Sequence, residues 1–442
     1  MPHVERPHTG QRLFGNRDLD WLAFVGKLRL TGLAVAATVR LAELLRRDED
    51  TFDERREVLE QTRRELVTRT AELQDTLAAF DSKIDLFGGR PPGVRKGLSA
   101  IMSNAIEQIR KVELGTGGPL VGVQGFGAMG ISDAYGQTDA AAARDTLDAT
   151  LEAGVTLIDT ADMYGVGANE EFLAPFVTAH RDEITLATKF AIERRADDPR
   201  YLRIRNDPAY IKKAVEASLR RLNVEVIDLY YMHRRDPAIP FAESVGAMAE
   251  LVREGKIKYV GLSEVTGAEL REAHAVHPIT AVQSEWSVFS RDVERSAVGA
   301  AAALGVAFVP YSPLGRGFLT GAFTDASKDL SSSDYRQLLP RFTGDNAKAN
   351  AALLVPLHKI AVDHGATTAQ IALAWVQQRA QTHDLTVVPI PGTRKRSRLL
   401  ENAAATRIML TAEELALLEP IASQVAGDRY SDMSFTSVAR EA

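Results

Sequence analysis

Strand-like and helical stretches alternate along most of the 442-residue chain, and this alternation limits the fold more than any other feature. Short apolar runs predict eight strands, at 120–126, 156–160, 184–190, 226–233, 257–263, 281–286, 306–312 and 386–391. Helical patterns stand between them, for example at 140–153, 208–222, 241–254 and 293–304. Strands that are each followed by a helix favour a closed parallel barrel over an open sheet. We therefore predict an α/β chain with a (β/α)8 TIM barrel, whose chemistry lies at the carboxyl ends of the strands.

Composition excludes several classes of function. The chain has no cysteine, which rules out disulfides, thiolate catalysis and cysteine-bound zinc. The net charge of −6 gives no overall attraction to nucleic acid. We find no apolar run of about 18 residues and no apolar signal core at the N-terminus. We therefore expect a cytoplasmic protein without a membrane span, and nothing in the pattern implies a metal.

Four polar residues fall at or just beyond the ends of neighbouring predicted strands. Asp159 ends the second strand with Tyr164 in the loop beyond it, Lys189 ends the third strand, and His233 ends the fourth. A lysine in an apolar strand needs a partner, and Asp159 is the obvious one. A tyrosine, whose ordinary pKa is about 10, can protonate an alkoxide if a nearby cation such as Lys189 lowers that pKa. Any one of the four could be structural, but together they predict a proton-transfer site in which His233 orients a substrate oxygen.

Two turns after the last strands have the composition of phosphate-binding loops. The first, SPLGRGFLTG at 312–321, is rich in glycine and lets backbone approach a pyrophosphate closely. The second, PGTRKRSR at 391–398, follows the last strand, where barrels commonly bind phosphate. Its cations Arg394, Lys395, Arg396 and Arg398 suit a 2′-phosphate, although a solvated charged turn is the alternative. No GxGxxG follows a strand, so a Rossmann domain is not predicted.

The N-terminal segment, residues 1–87, has a different pattern. Its stretch 51–87 lacks glycine and proline and carries apolar residues spaced by seven, at Leu59, Leu66, Leu73, Phe80 and Phe87, with Thr70, Leu77 and Ile84 in the other seam. This spacing predicts an all-α segment with a long coiled-coil-like helix, joined by a linker at 88–111 to a barrel domain at 112–442. The apolar stripe needs cover, either from a second copy in a homodimer or from its own domain.

Residues 6–87 resemble the middle and C-terminal parts of MerR-type transcriptional regulators. The matching stretches are RPHTGQRLFGNRDLDWLAFVGKLRLTGL and ERREVLEQTRRELVTRTAELQDTLAAFDSKIDLF. The DNA-reading helix of that family would precede Arg6, so we do not expect sequence-specific DNA binding. The resemblance leaves one alternative to an enzyme, an NADP(H)-sensing regulatory protein that signals through these helices to a partner or to DNA.

Residues 112–441 resemble the aldo-keto reductases. The motifs are GFGAMG (125–130), LIDTADMYG (157–165), ATKF (187–190), DLYYMHR (228–234), VGLSE (260–264), AVQSEWS (281–287), VPYSPLGRGFLTG (309–321) and IPGTRKRSRLLEN (390–402). The resemblance implies a reductase that uses NADPH to convert aldehydes or ketones to alcohols by hydride transfer, with Tyr164 as proton donor. The catalytic tetrad implied is Asp159, Tyr164, Lys189 and His233.

The same resemblance implies the cofactor contacts. Tyr311 would stack on the nicotinamide, and Ser263 and Gln283 would bind its amide. The remaining positions implied are Gly127, Met129, Ser312, Leu314, Gly315, Gly317, Gly392, Thr393, Lys395, Arg398, Glu401 and Asn402. Glu264 departs from the family, since many members have asparagine there. We expect the substrate pocket, which would favour apolar or aromatic carbonyls, to be lined by Met129, Tyr164, Phe190, Trp286 and the loop 314–345.

Overall fold

The computed structural model describes residues 108–132, 138–198, 201–323, 330 and 334–441. The predicted N-terminal helices, the coiled-coil stripe, the homodimer through it and most of the predicted linker lie outside these residues, so those predictions and the domain boundaries stay predictions. Within the described ranges, no helix combines the length and the apolar character needed to cross a membrane.

Seven parallel strands form the central sheet of the described chain. The strands in chain order are β1 Lys111–Glu113, β2 Leu120–Gly122, β3 Phe126–Gly127, β4 Leu157–Asp159, β5 Thr185–Phe190, β6 Ile192–Arg194, β7 Leu202–Ile204, β8 Ile227–Met232, β9 Ile257–Ser263, β10 Ala281–Glu285 and β11 Ala307–Tyr311. The central sheet runs in the order β3-β4-β5-β8-β9-β10-β11. In its register Lys189 lies opposite Tyr231, and Gln283 lies opposite Ser263. All strand ends therefore meet at one rim of the sheet.

The eighth predicted strand closes this sheet into a barrel, although it is irregular. The Phe308 amide donates to the Thr386 carbonyl at 2.8 Å, and the Val388 amide donates back to Phe308 at 2.9 Å. On the other side, the Gly125 amide donates to the Pro389 carbonyl at 2.9 Å. The segment thus bridges β11 and the residues before β3. Pro389 has no amide hydrogen, which explains why the pairing is incomplete.

The first predicted strand, at 120–126, was wrong in its extent. Residues 120–122 form β2, which pairs antiparallel with β1, and only β3 joins the barrel. The hairpin β1–β2 turns at a glycine-rich loop, where Gly115 and Gly117 have φ of 77° and 72°. These left-handed values favour glycine and explain why the chain reverses before it enters the barrel.

Helices surround the strands in the predicted order. They are α1 Ala140–Ala153, α2 Ala168–Ala179, α3 Pro208–Leu222, α4 Phe241–Arg253, α5 Gly267–Val276, α6 Ala297–Leu304, α7 Gly344–Ala352, α8 Val355–Asp363, α9 Thr368–His383, α10 Arg396–Ala404 and α11 Ala412–Leu418. Local signals set their ends: Asp207 caps the α3 amide of Tyr210 and Pro208 follows it at the first helical position. The helix predicted at 293–304 is shorter, because Ser296 is non-helical and separates α6 from a 3-10 turn.

Strand residues alternate between the barrel interior and the layer under the helices. Leu157, Ala187, Leu229 and Val309 belong to the apolar cluster inside the barrel. Leu186, Tyr230 and Phe308 belong to the clusters between strands and helices. In β5 this pleat places Lys189 on the same side as Ala187, toward the interior. The tightly packed interior therefore leaves the strand ends as the place where polar groups meet.

Candidate active site

Asp159 and Lys189 form a buried ion pair at the ends of β4 and β5. The lysine Nζ donates to Asp159 Oδ1 and to the Thr160 carbonyl, the latter at 2.8 Å. The Lys189 side chain is fully buried and that of Asp159 is 3% exposed. Burial raises the pKa of Asp159 and lowers the pKa of Lys189, and the attraction between the two charges opposes both shifts. The pair is therefore poorly solvated and sensitive to any new charge nearby.

Tyr164 and His233 complete the group that the sequence predicted. Lys189 Nζ lies 5.4 Å from the centre of the Tyr164 ring. The Tyr164 and His233 rings meet edge to face, with centroids 6.1 Å apart. A tight loop after β4 positions the tyrosine: Gly165 and Val166 have φ of 56° and 54° in the 3-10 turn Tyr164–Gly167. All four predicted residues therefore gather at one barrel mouth.

His233 is held as a neutral imidazole. Burial, followed by the charges of Arg234 and Lys189, lowers the pKa of His233 well below its usual range. Its Nδ1 has no hydrogen-bond partner among the described residues. A neutral imidazole can hydrogen-bond a ligand oxygen without adding charge to the site.

Hydrogen bonds connect this group to the residues predicted to contact the nicotinamide. Gln283 Nε2 donates to Asp159 Oδ2 at 2.9 Å. Arg234 donates to the Ser263 hydroxyl at 3.2 Å and to the His233 carbonyl at 2.7 Å. Both residues are buried, Ser263 at the end of β9 and Gln283 within β10. The structure thus places these two residues beside the predicted tetrad.

Tyr311 ends β11, and its hydroxyl donates to Glu264 Oε1 at 2.7 Å. Glu264 also accepts from Arg429 at 3.0 Å and from the Ser437 amide at 3.1 Å. Arg429 and Ser437 were not predicted, because they are far from Glu264 in the chain and carry no motif. The exchange of asparagine for glutamate at Glu264 was the available signal that a buried cation stands nearby.

The glycine-rich loop after β11 has the backbone expected of a phosphate cradle. Ser312, Gly315, Arg316 and Gly317 have φ of 47°, 55°, 57° and 92°. A Cβ on Gly315 would lie 3.4 Å from its nearest neighbour, Leu319 Cγ, so the left-handed backbone, not lack of space, favours glycine there. The half-buried Leu314 lies between Ser312 and Gly315.

Gly127 and Gly392 have a structural reason of their own. A Cβ on Gly127 would lie 2.8 Å from the Ile390 carbonyl oxygen, and one on Gly392 would lie 2.5 Å from the Gly127 carbonyl oxygen. Only glycine allows the first and last strand segments to approach this closely. Met129 follows Gly127 in a 3-10 turn and is half-buried.

The arginine-rich turn divides into two kinds of cation. Arg396 forms ion pairs with Asp145, at 3.3 Å, and with Glu152, and so fastens α10 to α1. Lys395 and Arg398 are exposed at the start of α10 and form no ion pair with a described residue. A helix N-terminus with two available cations fits the phosphate of a cofactor. The prediction that all four cations of the turn bind a 2′-phosphate therefore narrows to Lys395 and Arg398.

The other positions predicted near the cofactor occupy the same region but have structural partners. Thr393 accepts the Lys395 amide at 3.2 Å. Glu401 accepts from the Thr367 hydroxyl at 2.6 Å, and Asn402 is buried in α10.

The prediction that Phe190 and Trp286 line the substrate pocket was wrong. Both side chains are fully buried in the cluster between strands and helices. Phe190 stacks on Tyr230, and the Trp286 indole donates to Glu294 at 2.9 Å. The pleat explains the error for Phe190, because the residue after an inward-facing Lys189 must face outward.

Comparison with known proteins gives consistent matches over the barrel. A sequence model of the Aldo/keto reductase family matches residues 125–423. The glycerol dehydrogenase from Gluconobacter oxydans is 26% identical over 73% of this chain and 96% of its own, with a TM-score of 0.64. A thermostable aldo-keto reductase in complex with the inhibitor epalrestat is 29% identical over 71% and 100%, with a TM-score of 0.53. The holo form of an aldo-keto reductase from Bacillus halodurans is 26% identical over 74% and 100%, with a TM-score of 0.56.

Proposed function

The chain belongs to the Aldo/keto reductase family, and from this premise we propose that it uses NADPH to reduce aldehydes or ketones to alcohols. The observation that carries the proposal is the group at the barrel mouth, in which a buried Asp159–Lys189 pair lies beside Tyr164 and a neutral His233. This group combines a proton donor, a cation and a neutral hydrogen-bonding ring, which are the parts that carbonyl reduction needs.

The proposed cofactor has a place in this arrangement. Ser263, Gln283 and Tyr311 would hold its nicotinamide, the loop 312–321 its pyrophosphate, and Lys395 with Arg398 its 2′-phosphate. When bound, NADPH supplies a hydride to the carbonyl carbon. The exposed pair of cations, rather than the whole arginine turn, supports NADPH over NADH.

The side chains of this protein would handle the proton. Tyr164 gives its hydroxyl proton to the carbonyl oxygen as negative charge develops there. The Lys189 ammonium then stabilises the phenolate, and Asp159 holds that ammonium in place inside an apolar barrel. His233 hydrogen-bonds the same carbonyl oxygen and orients it toward Tyr164, without a charge that would compete with Lys189. Burial strengthens each of these interactions because little water screens them.

The experiment that tests the proposal is NADPH oxidation with a panel of aldehydes and ketones. The panel should include glyceraldehyde and dihydroxyacetone, since one similar structure is named a glycerol dehydrogenase, and aromatic aldehydes, which the sequence favoured. Tyr164→Phe should lower kcat by about 10²–10⁴-fold, the usual contribution of a general acid, while NADPH still binds.

The matched control is Tyr201→Phe, whose hydroxyl binds Glu193 away from the tetrad. It should retain full activity. Near-parental turnover in Tyr164→Phe, or no NADPH oxidation by the parent with any member of the panel, contradicts the proposed function.

A further inference from the structure

The C-terminal residues 428–441, which we call the strap, lie against the same rim of the barrel as the tetrad. They follow the residues matched by the family sequence model, which end at 423. Thr436 and Ser437 are buried, and Arg429 is only 3% exposed. The strap is therefore anchored through three buried residues, while most of its other residues are partly or fully exposed.

Glu264 joins the strap to the barrel through one carboxylate. From the barrel side, Tyr311 and the Glu285 amide donate to Oε1 at 2.7 and 3.3 Å. From the strap side, Arg429 donates to both oxygens at 3.0 and 3.4 Å. The Ser437 amide and hydroxyl donate to Oε2 at 3.1 and 3.4 Å. Oε1 is therefore shared between barrel and strap and Oε2 accepts from the strap, so one carboxylate holds the two together.

Several contacts hold the backbone of Glu264 in an unfavourable conformation. Its φ is 51°, a left-handed value that a residue with a Cβ adopts only under constraint. Its amide donates to the Gln283 carbonyl at 3.0 Å, and its carbonyl accepts from Arg440. Arg440 also pairs with Glu269, which caps α5. The strap thus fixes both the main chain and the side chain of Glu264.

The strap reaches the elements that would hold the two ends of the nicotinamide half of the cofactor. Through Glu264 it fixes the hydroxyl of Tyr311, the proposed platform for the nicotinamide. Tyr430 lies 3.2 Å from the Tyr311 hydroxyl and accepts from Arg316, in the glycine-rich loop, at 2.6 Å. A ligand that leaves between Tyr311 and this loop must separate groups that the strap ties together.

We propose that Glu264 is a positioning residue whose carboxylate latches the strap onto Tyr311, and that the latched strap slows the release of NADPH. The inference rests on the proposed function, because it takes NADPH as the ligand. It assigns a role in cofactor retention to a C-terminal segment and to a glutamate.

The test measures NADPH dissociation from the full-length protein by stopped-flow fluorescence, with excess NADP⁺ as the displacing ligand. Glu264→Gln removes the charge that holds Arg429, and we expect NADPH to dissociate about tenfold or more faster, the effect of weakening one charge-assisted contact. The chemical step, followed in a single turnover with pre-bound NADPH, should change by less than about threefold, since every tetrad contact is intact. A residue with a merely structural role would not separate these two rates.

A second variant avoids leaving a buried charge unpaired. Ser437→Pro removes both strap donors other than Arg429. Ser437 is the first residue of a 3-10 turn, and Thr436 before it has φ of −99° and ψ of 162°, values that a following proline accepts. We expect dissociation to become about threefold faster, as for the loss of a neutral hydrogen bond. The control Glu250→Gln breaks an exposed pair with Lys212 and should leave the rate unchanged.

The outcomes separate the inference from the proposed function. If the parent neither binds NADPH nor reduces any carbonyl, the proposed function fails and the inference with it. If the parent does both, and Ser437→Pro and Glu264→Gln fold but release NADPH at the parental rate, the latch is overturned while the function stands. Faster release in both variants, with an unchanged chemical step and an unchanged control, supports the latch.

Discussion

Two ion pairs are buried at the barrel rim, and the pKa values of their carboxyl groups are shifted in opposite directions. The Lys189–Asp159 side chains are 0% and 3% exposed, and the Arg429–Glu264 side chains are 1% and 0% exposed. In the first pair burial dominates, so the pKa of Asp159 rises and that of Lys189 falls. In the second, burial alone would raise the pKa of Glu264, but Arg429 and Arg234 outweigh it and bring it to about 2. The pKa of Arg429 rises correspondingly.

The number of neighbouring cations, together with the number of hydrogen bonds, explains the difference. Among the described residues Asp159 accepts from Lys189 and Gln283, whereas Glu264 accepts from two barrel donors and from Arg429 and Ser437. A sparsely solvated pair responds strongly to charge that develops beside it, which suits proton transfer. The Glu264–Arg429 pair, whose carboxylate accepts several hydrogen bonds, is less sensitive to a new charge, which suits a latch. The contrast predicts that one pair controls rate and the other controls stability.

The largest expected effect is on the rate. Lys189→Met removes the cation that stabilises the Tyr164 phenolate, and kcat should fall by about 10²–10⁴-fold. The free energy of unfolding should fall less than the rate does, because burial already favours the protonated form of Asp159. That form can stay hydrogen-bonded to Gln283. Steady-state kinetics at saturating NADPH checks this, with Lys212→Met as the exposed-lysine control. The comparison breaks if Glu264→Gln lowers kcat more than Lys189→Met does.

The next effect is on stability. Glu264→Gln leaves Arg429 buried without its counter-charge, and the free energy of unfolding should fall by about 3–5 kcal/mol. Asp159→Asn should lower it by only about 1–2 kcal/mol, because burial lowers the pKa of Lys189, so the lysine can lose its unpaired charge, whereas an arginine stays charged. Urea unfolding of the two variants and the parent measures both values. Equal losses would show that the two pairs do not differ as proposed.

The pH dependence of stability sharpens the same contrast. Glu264 has a folded pKa of about 2, below its ordinary value of 4.5, so the unfolded state binds more protons between these values. Its contribution, about 3 kcal/mol at 1.36 kcal/mol per pKa unit, is complete above pH 4.5 and is lost as the pH falls toward 2. The stability difference between the parent and Glu264→Gln should shrink across this window. A constant difference from pH 5 to 2, on the order of the pH 7 value, would contradict the assignment.

The smallest expected effect extends the comparison to the arginine turn, where paired and unpaired cations stand side by side. Arg398→Ala should weaken NADPH relative to NADH by about tenfold or more, the loss of one charge-assisted contact to a 2′-phosphate. Arg396→Ala should leave that ratio unchanged, since Arg396 is bound to Asp145 and Glu152. Fluorescence titration with both cofactors gives the ratios. If both variants lose the same part of the preference for NADPH over NADH, or if the parent has no such preference, the division between paired and exposed cations is contradicted.

The sequence by itself determined the barrel and which four polar residues gather at its rim. The βα alternation needs only the period of apolar residues, and Asp159, Lys189 and His233 follow directly from the ends of strands. The carboxyl ends of parallel strands lie at one rim of the barrel, so residues at the ends of different strands come close together in space. The irregular eighth strand was predicted for the same reason, although the proline that interrupts it reduced its pairing to a few hydrogen bonds.

Tertiary structure alone decided which partner each buried charge received. Nothing in the sequence pairs Glu264 with Arg429 and Ser437, because those contacts span 165 and 173 residues and carry no period. The same holds for Arg396, which lies 251 residues from Asp145 and looked like its neighbours in the turn. Strand periodicity fixes which residues reach the rim, but the return path of the C-terminal segment and the packing of α10 on α1 fix what meets them there.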